Sequence, residues 1–174
     1  LDSPMAKAAS DIYRAHPEAY DEETAKLLRE HHAPLDYPGQ HVVQNVQESE
    51  KIARAHPPYV IVASNGMLTG GRSVGHAERI LDDPRATVLF VGYQAAGTPG
   101  RDIQQYGPQG GYVDLDGERF DIRAAIHTIG GYSAHADQPD LLRFATGMRR
   151  PPDEVRIVDG DDDAKQHLRM LLAQ

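Results

Sequence analysis

Residues 59–63 and 87–92 are short apolar runs standing on either side of a helix-period segment at 73–81. This strand–helix–strand order constrains the fold more than any other feature of the chain. An apolar run of that length, bounded by Pro57-Pro58 and by Gly66, suits a strand buried on both faces of a parallel sheet. The flanking segments keep the same alternation. Ser3 before Pro4 is an N-cap followed by a first-turn proline, and Met5, Ala8, Ala9, Ile12 and Tyr13 recur at helical spacing until His16-Pro17. Further helices are expected over 21–31, 49–55, 138–148 and 161–172, and further strands over 41–46 and 154–158. Asp116-Gly117 between residues 112–115 and 118–126 signals a two-residue hairpin. The density of glycine and proline over 93–111 reads as loop. The expectation is an α/β fold, a mainly parallel sheet flanked by helices with one antiparallel hairpin and a short C-terminal strand–helix piece.

The outer limits come from composition. At 174 residues the chain is one domain or one and a fraction, and 40% hydrophobic with 25% charged residues is ordinary for a globular protein. No apolar run approaches the ~18 residues that span a bilayer, so no membrane partner is expected. There is no cysteine. That excludes disulfides and thiolate zinc sites and makes a cytoplasmic address the expectation. A net charge of −8 leaves room for a local basic groove but not for a wholly basic surface. The opening Leu1-Asp2-Ser3-Pro4, without methionine, is expected of a chain cut from something longer.

Three places could carry chemistry. From Gly66 the chain reads G-x-x-x-x-G-R-S, ending at Arg72-Ser73 between a strand and a helix. Ser64, Asn65, Gly66, Gly70, Gly71 and Arg72 could bring backbone N–H groups and a helix start to a phosphate. The P-loop pattern has lysine where Arg72 stands, and a guanidinium is not that lysine's equivalent. A glycine-rich connection that merely packs closely is the plain alternative. Gly97-Thr98-Pro99-Gly100-Arg101 offers a hydroxyl and a guanidinium, which suits a phosphate oxygen or an ordinary surface loop. Gly130-Gly131-Tyr132-Ser133-Ala134-His135-Ala136-Asp137 packs a hydroxyl, an imidazole and a carboxylate into one turn, and Val158-Asp159-Gly160-Asp161 ends a later apolar run. His135 there is a general acid, a phosphate contact, a metal ligand or a loop histidine bonded to Asp137. No H-x-H, H-x-x-E-H or H-E-x-x-H spacing occurs, so the sequence holds no complete metal motif.

Taken in order, Ser64-Asn65-Gly66-Met67-Leu68-Thr69-Gly70-Gly71-Arg72, Val91-Gly92-Tyr93-Gln94-Ala95-Ala96-Gly97-Thr98-Pro99-Gly100-Arg101 and Gly131-Tyr132-Ser133-Ala134-His135-Ala136-Asp137 resemble the β-CASP family of the metallo-β-lactamase superfamily. Its members are RNA- and DNA-processing nucleases of the RNase J and cleavage-and-polyadenylation type. Asp2-Ser3-Pro4-Met5-Ala6 is similar to a segment inside the family's β-CASP domain, so the resemblance covers nearly the whole chain.

The resemblance implies roles. His135 matches the family histidine beside the scissile phosphate, and Ser133 a phosphate contact before it. Residues 64–72, with Thr98 and Arg101, match loops along the path of a single-stranded RNA substrate. Asp159 stands where active members have the zinc-binding histidine of a His-Gly-Glu triplet; a carboxylate can also ligate zinc. The family's H-x-H-x-D-H run, its later zinc ligands and its acidic first motif belong before the matched segment. Residues 1–128 are thus expected to be the later part of a β-CASP domain and 129–174 the end of a metallo-β-lactamase domain. In complete relatives two zincs activate a water for in-line attack on phosphorus. The chain alone is expected to be inactive and to hold no zinc, its parent to be an exo- or endoribonuclease. A degenerate, RNA-binding or scaffolding paralogue is the alternative, with homodimer or paralogue pairing open, and a P-loop-like nucleotide-binding module is a weaker one.

Overall fold

A computed structural model describes every residue of the chain other than His31, Tyr37, Ala53, Ser133, Ala134, Pro151 and Gln174. Two compact units divide it, Leu1–Tyr132 and Ser133–Gln174. The first unit begins with α1 (Pro4–Ala15), capped by Ser3, whose hydroxyl accepts from Ala6 N at 3.0 Å. Helix α2 (Glu22–Arg29) is capped by Asp21 in the same way and has acids in its first turn, which favour the positive end of a helix. Helix α3 (Val46–Ile52) follows, then α4 (Arg72–Ile80), strand β1 (Thr87–Phe90) and α5 (Pro99–Tyr106). The unit closes with β2 (Tyr112–Leu115), β3 (Glu118–Asp121) and β4 (Ala125–Thr128).

Strand β1 pairs in parallel with β4, Thr87 opposite Ala125, so the chain has the small parallel sheet expected of an α/β fold. Strands β2 and β3 form the expected hairpin, with Leu115 opposite Glu118. Its two loop residues, Asp116 at φ 47° and Gly117 at φ 86°, both have positive φ, the geometry that Asp-Gly supplies. The core lies between α4, α5 and these strands. Leu81, Ile103, Val113 and Leu115 are almost wholly buried, and Val74, Phe90 and Ile122 pack around them.

Several expectations are corrected. The segment 93–111 is not loop throughout, since α5 occupies much of it. Thr98 caps that helix and Pro99 sits at its first turn, so a start signal stood in the sequence among residues read as breakers. The strand expected over 118–126 is two strands, β3 in the hairpin and β4 beside β1. Residues 41–46 and 59–63 are not strands of a ladder. They lie beside residues 1–3, the first through Val43 N to Leu1 O (3.0 Å) and Leu1 N to His41 O (2.7 Å), the second through Asp2 N to Val62 O (2.8 Å). Nor are the apolar runs buried on both faces: Val60 is 84% exposed, and Leu89 and Val91 are exposed too. A strand buries both faces only where layers cover both. The helices and hairpin cover one.

In the second unit α6 (Gln138–Thr146) packs on α7 (Asp162–Leu172). Asp137 caps α6, accepting from Asp140 N at 3.0 Å. The strand expected over 154–158 is absent among the described residues, and Val158 is 91% exposed. Among the described residues of this unit no strand offers that segment a ladder partner.

Candidate nucleic-acid interface

Two of the three places singled out from the sequence meet in the first unit. The loop before α4 is closed by its own polar groups. Asn65 takes a left-handed φ of 63°, its amide Nδ2 donates to Gly70 O at 2.6 Å, and its Oδ1 accepts from Thr69 at 3.2 Å. Ser73 Oγ donates to Asn65 O at 3.0 Å, tying the loop to the first turn of the helix. Gly70 and Gly71 have φ of 149° and 83°, values that side chains rarely adopt. Ser64, Asn65 and Gly66 are exposed, so the loop presents its backbone to solvent.

The second loop is docked on the first. Gly100 N donates to Met67 O at 3.0 Å. A Cβ on Gly100 would lie 2.5 Å from Gly66 O and 3.0 Å from Met67 Cα, and would also strike the Gln94 side chain. Gln94 is buried beneath this junction, with Nε2 donating to Gly92 O at 3.2 Å and Oε1 lacking a partner among the described residues. Thr98 uses its hydroxyl for the helix cap and for Ala95 O, to which it donates at 2.7 Å. Arg101, one turn into α5, is exposed and has no ion-pair partner among the described residues.

Arg72 is placed differently. Its Nη1 donates to Asp2 Oδ1 at 2.6 Å. The Asp2 carboxylate is 3% exposed and also accepts from Ser49 Oγ at 2.5 Å, while His76 Nε2 lies 2.7 Å from the same Oδ2. Burial by itself pushes the Asp2 carboxyl up. The hydrogen bonds from Ser49, Arg72 and His76, helped by the Arg72 charge, outweigh it and hold the group below its usual range. The sequence reading missed this cluster. Its signal was a histidine on the apolar face of the helix at 73–81, where Ser73, Val74, His76 and Ala77 are all buried.

In the second unit His135 is exposed, and Ser133 lies outside the described residues. Asp137 is committed to the α6 cap. Asp159 is exposed at a turn, its Oδ1 accepting from Gly160 N at 2.9 Å, with Gly160 at φ 108°. No group of three or more metal-ligating side chains occurs among the described residues. One carboxylate cannot make a zinc site, which needs three or four protein ligands. These residues therefore do not fit a zinc centre by themselves.

An α/β chain with two glycine-rich loops docked on each other matches the Beta-Casp domain model over residues 1–103. Residues 119–174 match the Zn-dependent metallo-hydrolase RNA specificity domain. The chain belongs to the Beta-Casp family. It is 36% identical over 99% of its length to Ribonuclease TTHA0252 of Thermus thermophilus, covering 38% of that protein. It is 34% and 30% identical, over 90% and 92% of its length, to the proteins named Transcription termination factor FttA of Pyrococcus abyssi and Methanosarcina mazei. It covers 25% and 26% of those two, so it spans well under half of each of these relatives.

Proposed function

We propose that this chain is part of a zinc-dependent, RNA-processing nuclease. Residues 1–128 supply the later β-CASP portion and 129–174 the end of the metallo-β-lactamase domain. The observation that carries the reading is the order of two family matches on one chain, a Beta-Casp domain followed by an RNA specificity domain, in a sequence similar to a ribonuclease throughout.

In this reading the first unit holds single-stranded RNA. Backbone N–H groups of 64–71 and the exposed Arg101 guanidinium meet phosphates, and Thr98 keeps the start of α5 in place beneath Arg101. His135 contacts the scissile phosphate and protonates the leaving oxygen, with Ser133 as a further phosphate contact. Asp159 is a carboxylate able to complete a metal centre whose other ligands lie outside the described residues. A zinc centre would supply Lewis-acid chemistry there. The cysteine-free composition fits a reducing, cytoplasmic address.

The test is RNA cleavage by the intact protein. His135→Ala should lower turnover by roughly 10²–10⁴, the range for a lost acid–base group. Unchanged turnover removes His135 from the chemistry. Asp159, in the place of a family histidine, favours a second reading in which the protein binds RNA without cutting it. Normal RNA affinity with no cleavage by the zinc-loaded wild type would establish that one.

A further inference from the structure

Apart from Arg72, the Asp2 cluster lies outside the residues that the nuclease reading uses, and through Arg72 it grips the candidate RNA path. Three separate stretches of chain converge on one carboxylate: residue 2, Ser49 on α3, and Arg72 and His76 on α4. Residue 2 is itself fixed between neighbouring segments, by Asp2 N to Val62 O and by a parallel bridge to Ala63, directly before Ser64. The carboxylate is therefore anchored to the segment that leads into the glycine-rich loop, and Arg72 to the helix that ends it. Closing the two together fixes both ends of the loop.

The ion pair also changes what Arg72 can offer. The Arg72 side chain is 22% exposed and the Asp2 side chain 2% exposed, 2.6 Å apart. A carboxylate that close, out of water, cancels most of the field that the guanidinium would project towards an incoming phosphate. What remains are fixed N–H donors with little net charge. Arg101 is the opposite case, exposed and without an ion-pair partner among the described residues.

We propose that Asp2 is a positioning residue for RNA binding. It holds Arg72 as a charge-compensated hydrogen-bond donor at the edge of the glycine-rich loop, and Arg101 supplies the net electrostatic attraction. The proposal rests on the reading that these loops carry RNA.

The salt dependence of binding separates the two arginines. Each phosphate neutralised on a single strand contributes about 0.7 to the slope of log K against log salt. Binding of a fluorescent single-stranded oligoribonucleotide to the intact protein would be followed by anisotropy over a salt series. Arg101→Gln should make the slope shallower by about 0.7. Arg72→Gln should weaken binding by a similar factor at every salt concentration and leave the slope unchanged. Asp2→Asn, which uncovers the Arg72 charge, should steepen the slope by about 0.7. A purely structural role would lower affinity without moving it.

If Asp2→Asn fails to fold, Ser49→Ala serves as the second variant. It keeps the carboxylate charged and should leave the slope at the wild-type value. A shallower slope in Arg72→Gln, matching Arg101→Gln, overturns the proposal while leaving the RNA reading intact. Absence of RNA binding by the wild type overturns both.

Discussion

Gly100 N donates to Met67 O across 3.0 Å, and that bond joins two loops whose bonded residues are 33 apart in the sequence. The approach is possible only without a side chain. A Cβ at Gly100 would meet Gly66 O at 2.5 Å and Met67 Cα at 3.0 Å, both backbone atoms that cannot rotate away. Gly100 lies in the first turn of α5, where alanine would ordinarily stabilise a helix by about 0.5–1 kcal/mol. The clash works against that gain, and overpacking of this kind costs about 1–3 kcal/mol. Gly100→Ala should therefore destabilise the protein by about 1–2 kcal/mol in urea unfolding. Neutral or increased stability would mean the loops can separate without loss.

The Asp2 carboxyl makes stability depend on acid. It is held below its ordinary value when folded, by hydrogen bonds that outweigh the burial opposing them. A carboxyl depressed in the folded state stabilises fully above its unfolded value, about 3.9, and loses that contribution as pH falls through the lower folded value. Wild-type stability should thus fall between pH 5 and pH 3 more steeply than that of Asp2→Asn. The variant should also be less stable at pH 7, by about 3–5 kcal/mol, because Arg72 loses its buried counter-charge. Parallel pH profiles for the two proteins would show that the carboxylate is not held as described.

His76 has a defined tautomer. Nε2 faces the Asp2 carboxylate at 2.7 Å, whereas Nδ1 is buried with no partner among the described residues. With the proton on Nε2 the ring donates to the Asp2 carboxylate and only a lone pair is left unpartnered on Nδ1; with the proton on Nδ1 that proton would be buried without an acceptor and the bare Nε2 lone pair would face a carboxylate. Ring nitrogen chemical shifts of the intact, histidine-labelled protein should report the Nε2–H form for the resonance missing from His76→Gln. An Nδ1–H pattern contradicts the arrangement.

Local chemistry made much of this legible in the sequence. Ser3-Pro4, Asp21 and Asp116-Gly117 each act within a few residues, and α1, α2 and the hairpin appear where they signal. The glycine-rich loops and the α/β alternation were legible for the same reason. Partnership was not. Residues 59–63 have the composition of a buried strand, but a strand exists through its neighbours, and among the described residues this segment pairs with Asp2 through one isolated bridge. The Asp2 cluster was hidden because Asp2 stands 47 to 74 residues before its partners Ser49, Arg72 and His76. The docking of Gly100 on Met67 was hidden likewise, since neither residue carries a side chain whose chemistry announces the other.

Thr98 tests whether a residue on the candidate RNA path acts by touching RNA or by ordering the helix behind it. Its hydroxyl accepts from Arg101 N at 3.4 Å and donates to Ala95 O at 2.7 Å. Losing such a cap costs about 1 kcal/mol. Thr98→Ala should lose about that much stability in urea unfolding, and Thr98→Ser should retain it. Weaker RNA binding in Thr98→Ala with unchanged stability would assign the hydroxyl to RNA directly.

In the proposed reading Asp159 is the metal ligand that the second unit contributes. Its carboxylate is exposed and spends one oxygen on the neighbouring Gly160 N–H, leaving the other available to a cation. An exposed turn residue of this kind contributes little to folding, with substitutions usually within about 0.5 kcal/mol. Asp159→Ala should therefore leave stability nearly unchanged and lower the zinc content of the intact protein, measured by mass spectrometry after dialysis against a weak chelator. Asp159→His, which supplies an imidazole where the family has one, should restore zinc to at least the wild-type level. Equal zinc in all three proteins would remove Asp159 from the metal centre, because a true ligand cannot be deleted without weakening the metal's hold.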